Sequence, residues 1–128
     1  MLTIDLDSDV PLIDQLVRGL RHAIAAGTLE PGSELPPVRQ LANDLGINLN
    51  TVARAYRTLE SRGLVRAARG RGTRVTASRE RGVADPPRRK ARLAEELRAV
   101  LADAKLAGLE RADLERMIGK HLETLWPT

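Results

Sequence analysis

Apolar residues recur along this chain with two different periods, and the changes of period mark out its elements. Residues 2–6 alternate, with Leu2, Ile4 and Leu6 set against Thr3 and Asp5, which reads either as a short strand or as an extended arm. From Asp9-Val10-Pro11 the spacing lengthens to that of a helix. Pro11 falls in the first turn with Asp9 or Val10 near the cap, and Ile13, Leu16, Val17, Leu20, Ala23 and Ile24 form a stripe that runs to Ala26 before Gly27 closes it. The stretch from Gly27 to Pro37 is rich in turn formers. Pro36 and Pro37 hold its end extended, and Pro37 suits the first turn of the helix that follows.

Two short helical patterns come next. Val38, Leu41, Ala42 and Leu45 share one helix face, and Val52, Ala55, Tyr56 and Leu59 share another. Between them Gly46 is a helix stop and Asn48 a fresh N-cap. Two helices joined by a short glycine-containing turn form a helix-turn-helix, whose second helix enters the DNA major groove; the same pattern also builds ordinary helical hairpins. After Gly63 the period drops toward two. Residues 64–68 and 73–76 read as strands joined by Arg69-Gly70-Arg71-Gly72, a hairpin with an arginine-rich tip. Three helices followed by such a hairpin form a winged helix-turn-helix, and Arg69 and Arg71 on either side of Gly70 can reach phosphates or a minor groove. One RGRG copy is too short for a Gly/Arg-rich single-strand binder.

Periodicity lapses from Ala77 to Pro87 and then returns. A helix is predicted over residues 88–107, with Leu93, Leu97, Val100, Leu101 and Ala104 along one side, and Gly108 ends it. A second is predicted over 111–125, with Leu114, Met117, Ile118, Leu122, Leu125 and Trp126 together. Two helices bury too little apolar area to be stable alone, so these faces dock on the head or on a second subunit, the latter giving a symmetric homodimer with Trp126 at its interface. The expected fold class is mainly α with an α+β head: a winged helix-turn-helix domain at 1–78, a linker at 79–87, and a short two-helix C-terminal dimerisation segment at 88–128.

Composition narrows the chemistry. Hydrophobic residues make up 42% of the 128, yet Phe is absent, so the core is built from Leu, Ala, Val and Ile. Cysteine is absent, which excludes disulfides and thiolate metal sites. His22 lies beside the apolar stripe with no second ligand near it in sequence, so it reads as a surface or boundary residue, and no metal or cofactor is expected. The N-terminus turns acidic at once and no apolar stretch approaches about 18 residues, so neither export nor a membrane span is expected, and the protein is expected to be cytoplasmic. Net charge is only +4, but residues 63–92 hold ten Lys and Arg against Glu80 and Asp85, or +8, so the remainder sums to −4. That asymmetry points to a polyanion, although part of the basic run also reads as a solvated linker.

The run from Pro11-Leu12 to Thr76 resembles the N-terminal domain of the GntR family of bacterial transcription regulators. The resemblance rests on PLIDQL, GTLEPGSELPPVRQLA, NTVARAYRTLESRGLV and the GRGT of the wing. The short two-helix tail is similar to that of the YtrA subfamily, where this part serves dimerisation. The resemblance implies a sequence-specific transcriptional regulator, a dimeric repressor on a palindromic operator of a transporter operon or of its own. By motif position Arg39 resembles the family arginine that contacts the DNA backbone or a base at the groove edge. Leu49 departs from the Pro or Arg expected there; unable to donate to a base edge, it either meets a thymine methyl or packs locally. Ala53 stands where some subfamilies carry an arginine.

Helix geometry turns Leu49, Asn50, Ala53, Arg54 and Arg57 outward. Asn50 suits bidentate pairing with adenine and Arg54 a guanine or a phosphate. Asn48, Thr51 and the free N–H groups at the helix start are expected to hold a phosphate, and Arg57 to contact one or stay solvated. A protein-docking module would expose more apolar surface on this face, and an enzyme would need a convergent set of reactive groups that these isolated histidines and scattered carboxylates do not supply. The tail is too short to enclose an ordinary metabolite, so a small-molecule effector would sit at a dimer or domain interface.

Overall fold

The computed structural model of the chain describes residues 2–76 and 86–128. It divides into two compact units, Met1–Gly82 and Val83–Thr128. Of the predicted linker at 79–87, residues 79–85 lie outside the described residues and Pro86 and Pro87 are helical.

In the first unit the elements run α1 (Leu12–Ala25), α2 (Val38–Leu45), α3 (Leu49–Ser61), β1 (Val65–Ala68) and β2 (Gly72–Val75). Helix α1 starts one residue later than its predicted first-turn proline. Pro11 itself is the N-cap and Asp9 does no capping, because proline has no N–H to leave unsatisfied and its fixed φ already suits the approach to a helix. Pro37 plays the same part ahead of α2. Residues 2–5 form an arm, not a strand. Leu2 and Ile4 pack against the core, and the Gln15 side chain serves the arm as a second backbone would. Its amide oxygen accepts from the Asp5 N–H at 2.8 Å while its NH₂ donates to the carbonyls of Asp5 at 2.9 Å and Val10 at 2.8 Å.

The core is aliphatic, as the composition requires. Leu16, Leu20, Val52, Ala55 and Leu59 are completely buried, joined by Leu35, Leu64, Val65 and Val75. Helix α3 lies at the centre, packed on α1, α2 and β1. Among the described residues no charged residue is buried, and Tyr56, largely covered at 5% exposure, donates its hydroxyl to the Pro36 carbonyl at 2.6 Å.

The hairpin has antiparallel register Val65↔Val75, Arg66↔Arg74, Ala67↔Thr73 and Ala68↔Gly72. A bond from the Thr76 N–H to the Leu64 carbonyl at 3.0 Å extends the ladder by one pair. Val65 and Val75 root the hairpin in the core, and its loop is Arg69-Gly70-Arg71. The connector read as turns does more than link α1 to α2. It runs along the outer edge of β2, where Gly32 N–H donates to the Val75 carbonyl at 2.7 Å, Val75 N–H to the Ser33 carbonyl at 2.9 Å and Leu35 N–H to the Thr73 carbonyl at 2.8 Å. Arg74 reinforces this edge pairing through the Gly32 carbonyl at 3.0 Å and the Glu34 carboxylate at 3.8 Å. Gly72 is favoured here by its φ of +73°, a conformation that side chains rarely adopt; a Cβ would also meet the Glu34 carboxylate, the mobile end of a half-exposed side chain that can shift. On the opposite edge the Glu60 carboxylate accepts the Ala67 N–H at 2.7 Å, so both edges of the wing are covered.

The second unit holds α4 (Pro86–Leu106) and α5 (Arg111–Leu125), joined at Gly108 with φ +90°. Helix α4 begins two residues before the predicted start because prolines are tolerated in a helix's first turn. No residue of either helix is buried. Leu97 is 54% exposed, Leu122 51% and Trp126 69%. Surface pairs such as Arg92 with Glu96 at 3.3 Å and Arg111 with Glu115 at 2.6 Å brace each helix locally, worth about 0.3–0.5 kcal/mol apiece. No helix among the described residues is long and apolar enough to cross a membrane.

Candidate nucleic-acid interface

The turn between α2 and α3 decides which side chains of α3 face outward. Gly46 adopts the left-handed conformation at φ +68°, the Ile47 N–H returns to the Ala42 carbonyl at 3.0 Å, and the Gly46 N–H returns to Asn43 at 3.3 Å. This pair of bonds ends α2 and reverses the chain within three residues. Asn48 then caps α3, its side-chain oxygen accepting the Asn50 N–H at 2.7 Å. Tyr56 ties the middle of α3 to Pro36, two residues ahead of α2.

That tie has a pH consequence. Burial pushes the Tyr56 phenol up from 10.0 to about 12. Because the folded value lies above the unfolded one, the stability contributed by the neutral phenol is fully present below pH 10 and is lost as pH rises through 12. The chain contains one tyrosine, so an ultraviolet titration reads it directly. Chemical denaturation at rising pH is expected to show wild type losing stability across that window, with a shallower loss in Tyr56→Phe. At neutral pH the variant is expected to be less stable by about 1 kcal/mol, from the lost hydrogen bond.

Leu49, Asn50, Arg54 and Arg57 are exposed on α3, as helix geometry predicts, whereas Ala53 is half-buried. Arg39 is exposed in the first turn of α2, beside the elbow formed by Ala42, Asn43, Gly46, Ile47 and Leu49. Arg54 and Arg57 line a second shallow depression with Ile13, Thr58 and Ser61. Arg69, Gly70 and Arg71 are exposed at the wing tip. No ion pair with another described residue holds Arg39, Arg54, Arg57, Arg69 or Arg71, in contrast to Arg74, which is tied to Glu34 and Gly32. Their guanidinium donors are available to an anion.

The start of α3 is less open than expected. Of its N–H groups, that of Asn50 is taken by the Asn48 side chain and that of Thr51 donates to the Asn48 carbonyl at 3.1 Å. Among the described residues the Leu49 N–H is left without a partner at the helix start. The Asn50 side-chain amide, by contrast, makes no hydrogen bond with a described residue and keeps both its donor and its acceptor. Arg79 and Arg81 of the basic run lie outside the described residues. His22 is exposed, and no group of His, Asp and Glu among the described residues is placed to hold a metal ion.

Comparison with known proteins agrees with this geometry. Residues 12–75 match the model of the bacterial regulatory proteins of the gntR family. Over 118 residues the chain is 32% identical to the HTH-type transcriptional repressor YtrA of Bacillus subtilis, covering 92% of this chain and 89% of that one. Among solved structures it is similar to YtrA of Sulfolobus acidocaldarius, a GntR-family transcription factor, at 32% identity and a TM-score of 0.60, over 78% of this chain and 97% of the other. It is also similar to the DNA-binding domain of AraR in complex with operator ORX1, at 26% identity and a TM-score of 0.52, over 59% and 93%.

Proposed function

The chain belongs to the gntR family of bacterial regulatory proteins, and on that premise we propose that it represses transcription as a homodimer bound to a palindromic operator. As a member it is a DNA-binding transcriptional regulator with a winged helix-turn-helix head, and its relatives are regulators, not enzymes. Repression takes its support from the Bacillus relative, which is named a repressor, and operator binding from the AraR complexes. In this reading Asn50 and Arg54 read base edges, Arg39 and Arg57 contact the strand at the groove margin, and Asn48 and Thr51 lie against a phosphate. Arg69 and Arg71 of the wing, with Gly70 between them, approach the neighbouring backbone or minor groove. The protein acts in the cytoplasm, on a transporter operon or on its own.

The observation that carries the base-reading part is the division of labour at Asn48 and Asn50: one amide is spent on the cap, the next is exposed with its hydrogen-bonding capacity unused. Dimerisation is supported by the unburied faces of α4 and α5, which carry Leu93, Leu97, Val100 and Leu101 on one helix and Leu114, Met117, Ile118, Leu122, Leu125 and Trp126 near the other. Two copies joined by a two-fold axis would cover these side chains and repeat the head across an inverted repeat.

A salt titration of operator binding separates the roles. Asn50→Ala is expected to weaken cognate binding by roughly 1–3 kcal/mol with the salt slope unchanged, whereas Arg71→Ala is expected to weaken all DNA alike and lower the slope by about 1. Equal losses of Asn50→Ala on cognate and random duplexes would remove it from the reading surface.

A further inference from the structure

Two large apolar side chains of the first unit stand exposed among the described residues, Leu6 and Leu49. Leu49 is the one on the DNA-facing surface. It is the first residue of α3, directly after the capping Asn48, and it is 39% exposed. Its environment is mixed. The depression that Leu49 borders is lined by Ala42 and Ile47 as well as by Arg39 and Asn43, and Asn50 follows Leu49 in the chain. A leucine packed as part of the core would be covered, as Val52 and Leu59 are on the inner face of the same helix. A protein-docking patch would need further exposed large apolar side chains around it, but the exposed neighbours here are Arg39, Asn43 and Asn50.

We infer that Leu49 reads the C5-methyl group of a thymine in the major groove, and so selects a T·A pair at one position of each operator half-site. The inference rests on the operator reading above. The first residues of a recognition helix are those that meet base edges, and thymine's methyl is the apolar group the four natural bases present there. Leucine donates and accepts no hydrogen bond, so its discrimination comes from removing two apolar surfaces from water together. Asn50, next along the helix and with its amide unengaged, reads a neighbouring base by hydrogen bonds. Position 49 therefore supplies apolar selectivity where an arginine would supply a guanine contact.

The test starts from duplexes that the full-length protein selects out of a random-sequence library. Each thymine of the selected site is then replaced by deoxyuridine, which removes the methyl and leaves Watson–Crick pairing intact. For wild type, one position per half-site is expected to lose about fourfold in affinity, the worth of one buried methyl group, and the other thymines to change little. Leu49→Ala, on an exposed position, is expected to stay folded by circular dichroism, to bind the thymine duplex about as weakly as wild type binds the uridine one, and to lose the difference between them. Selected DNA that tolerates every uridine substitution would overturn the thymine contact while leaving operator binding standing. A Leu49→Ala protein that keeps the wild-type uridine penalty would assign the methyl to another residue and overturn it equally. A protein that enriches no sequence at all fails the operator reading, and this one with it.

Discussion

Leu122→Asp is expected to convert the protein to a monomer and to lower operator affinity by at least about a hundredfold. Leu122 is 51% exposed in the single chain, on a helix with no buried residue, so the substitution removes nothing from a monomer's core. In a dimer the same side chain would lie in an apolar seam, where an unpaired carboxylate carries a large desolvation cost. Once the two heads are separated, the second half-site no longer binds at the high effective concentration that linkage provides, typically a gain of 10²–10⁴-fold. Sedimentation equilibrium and a gel shift on one-half-site and two-half-site duplexes check both parts. A variant that keeps wild-type mass and affinity would show that this face of α5 does not join the subunits.

Leu59→Ala acts through the head instead, with an expected loss of about 2–5 kcal/mol in stability. Leu59 is wholly buried on the inner face of α3, and its carbonyl accepts the N–H groups of Arg62 at 3.2 Å and Leu64 at 3.1 Å where the helix gives way to β1. The cavity would open where α3 gives way to the wing, within the core that Leu59 shares with Val52, Ala55 and Tyr56. Each kcal/mol shifts the midpoint of a domain this size by roughly 4–8 °C, so thermal unfolding followed by circular dichroism should fall by about 10 °C or more. Binding measured well below that midpoint is expected to change far less. A midpoint within two or three degrees of wild type would mean that the site collapses around the smaller side chain.

Much of the head was legible from local spacing. The extents of α2 and α3, the left-handed Gly46, the Asn48 cap and the arginine-tipped hairpin all follow from relations between residues a few positions apart. So does α5, found where its apolar residues place it. The starts of α1 and α4 shift by a residue or two at their prolines, and the larger amendments are of another kind. The Gly27–Pro37 stretch has the composition of a turn, and its residues 32–35 pair with β2 because that edge needs partners, a requirement invisible in the stretch itself. The helix start looked open to a phosphate, yet the cap and one tight backbone bond take two of its N–H groups.

The sequence by itself determined which stretches are helical to within a residue or two, which faces are apolar, and where positive charge gathers, since propensity, periodicity and capping act within about a turn of helix or a pair of strand residues. The tertiary structure alone decided which polar groups remain free for DNA. Arg74 is bound to Gly32 across 42 positions of chain and Tyr56 to Pro36 across 20, whereas Arg69, Arg71 and the Asn50 amide are left without such partners among the described residues. Nothing in composition separates Arg71 from Arg74. The difference arises when folding brings the connector beside β2, because a hydrogen bond or ion pair is set by distance in space, and distance in space is what a chain acquires only on folding.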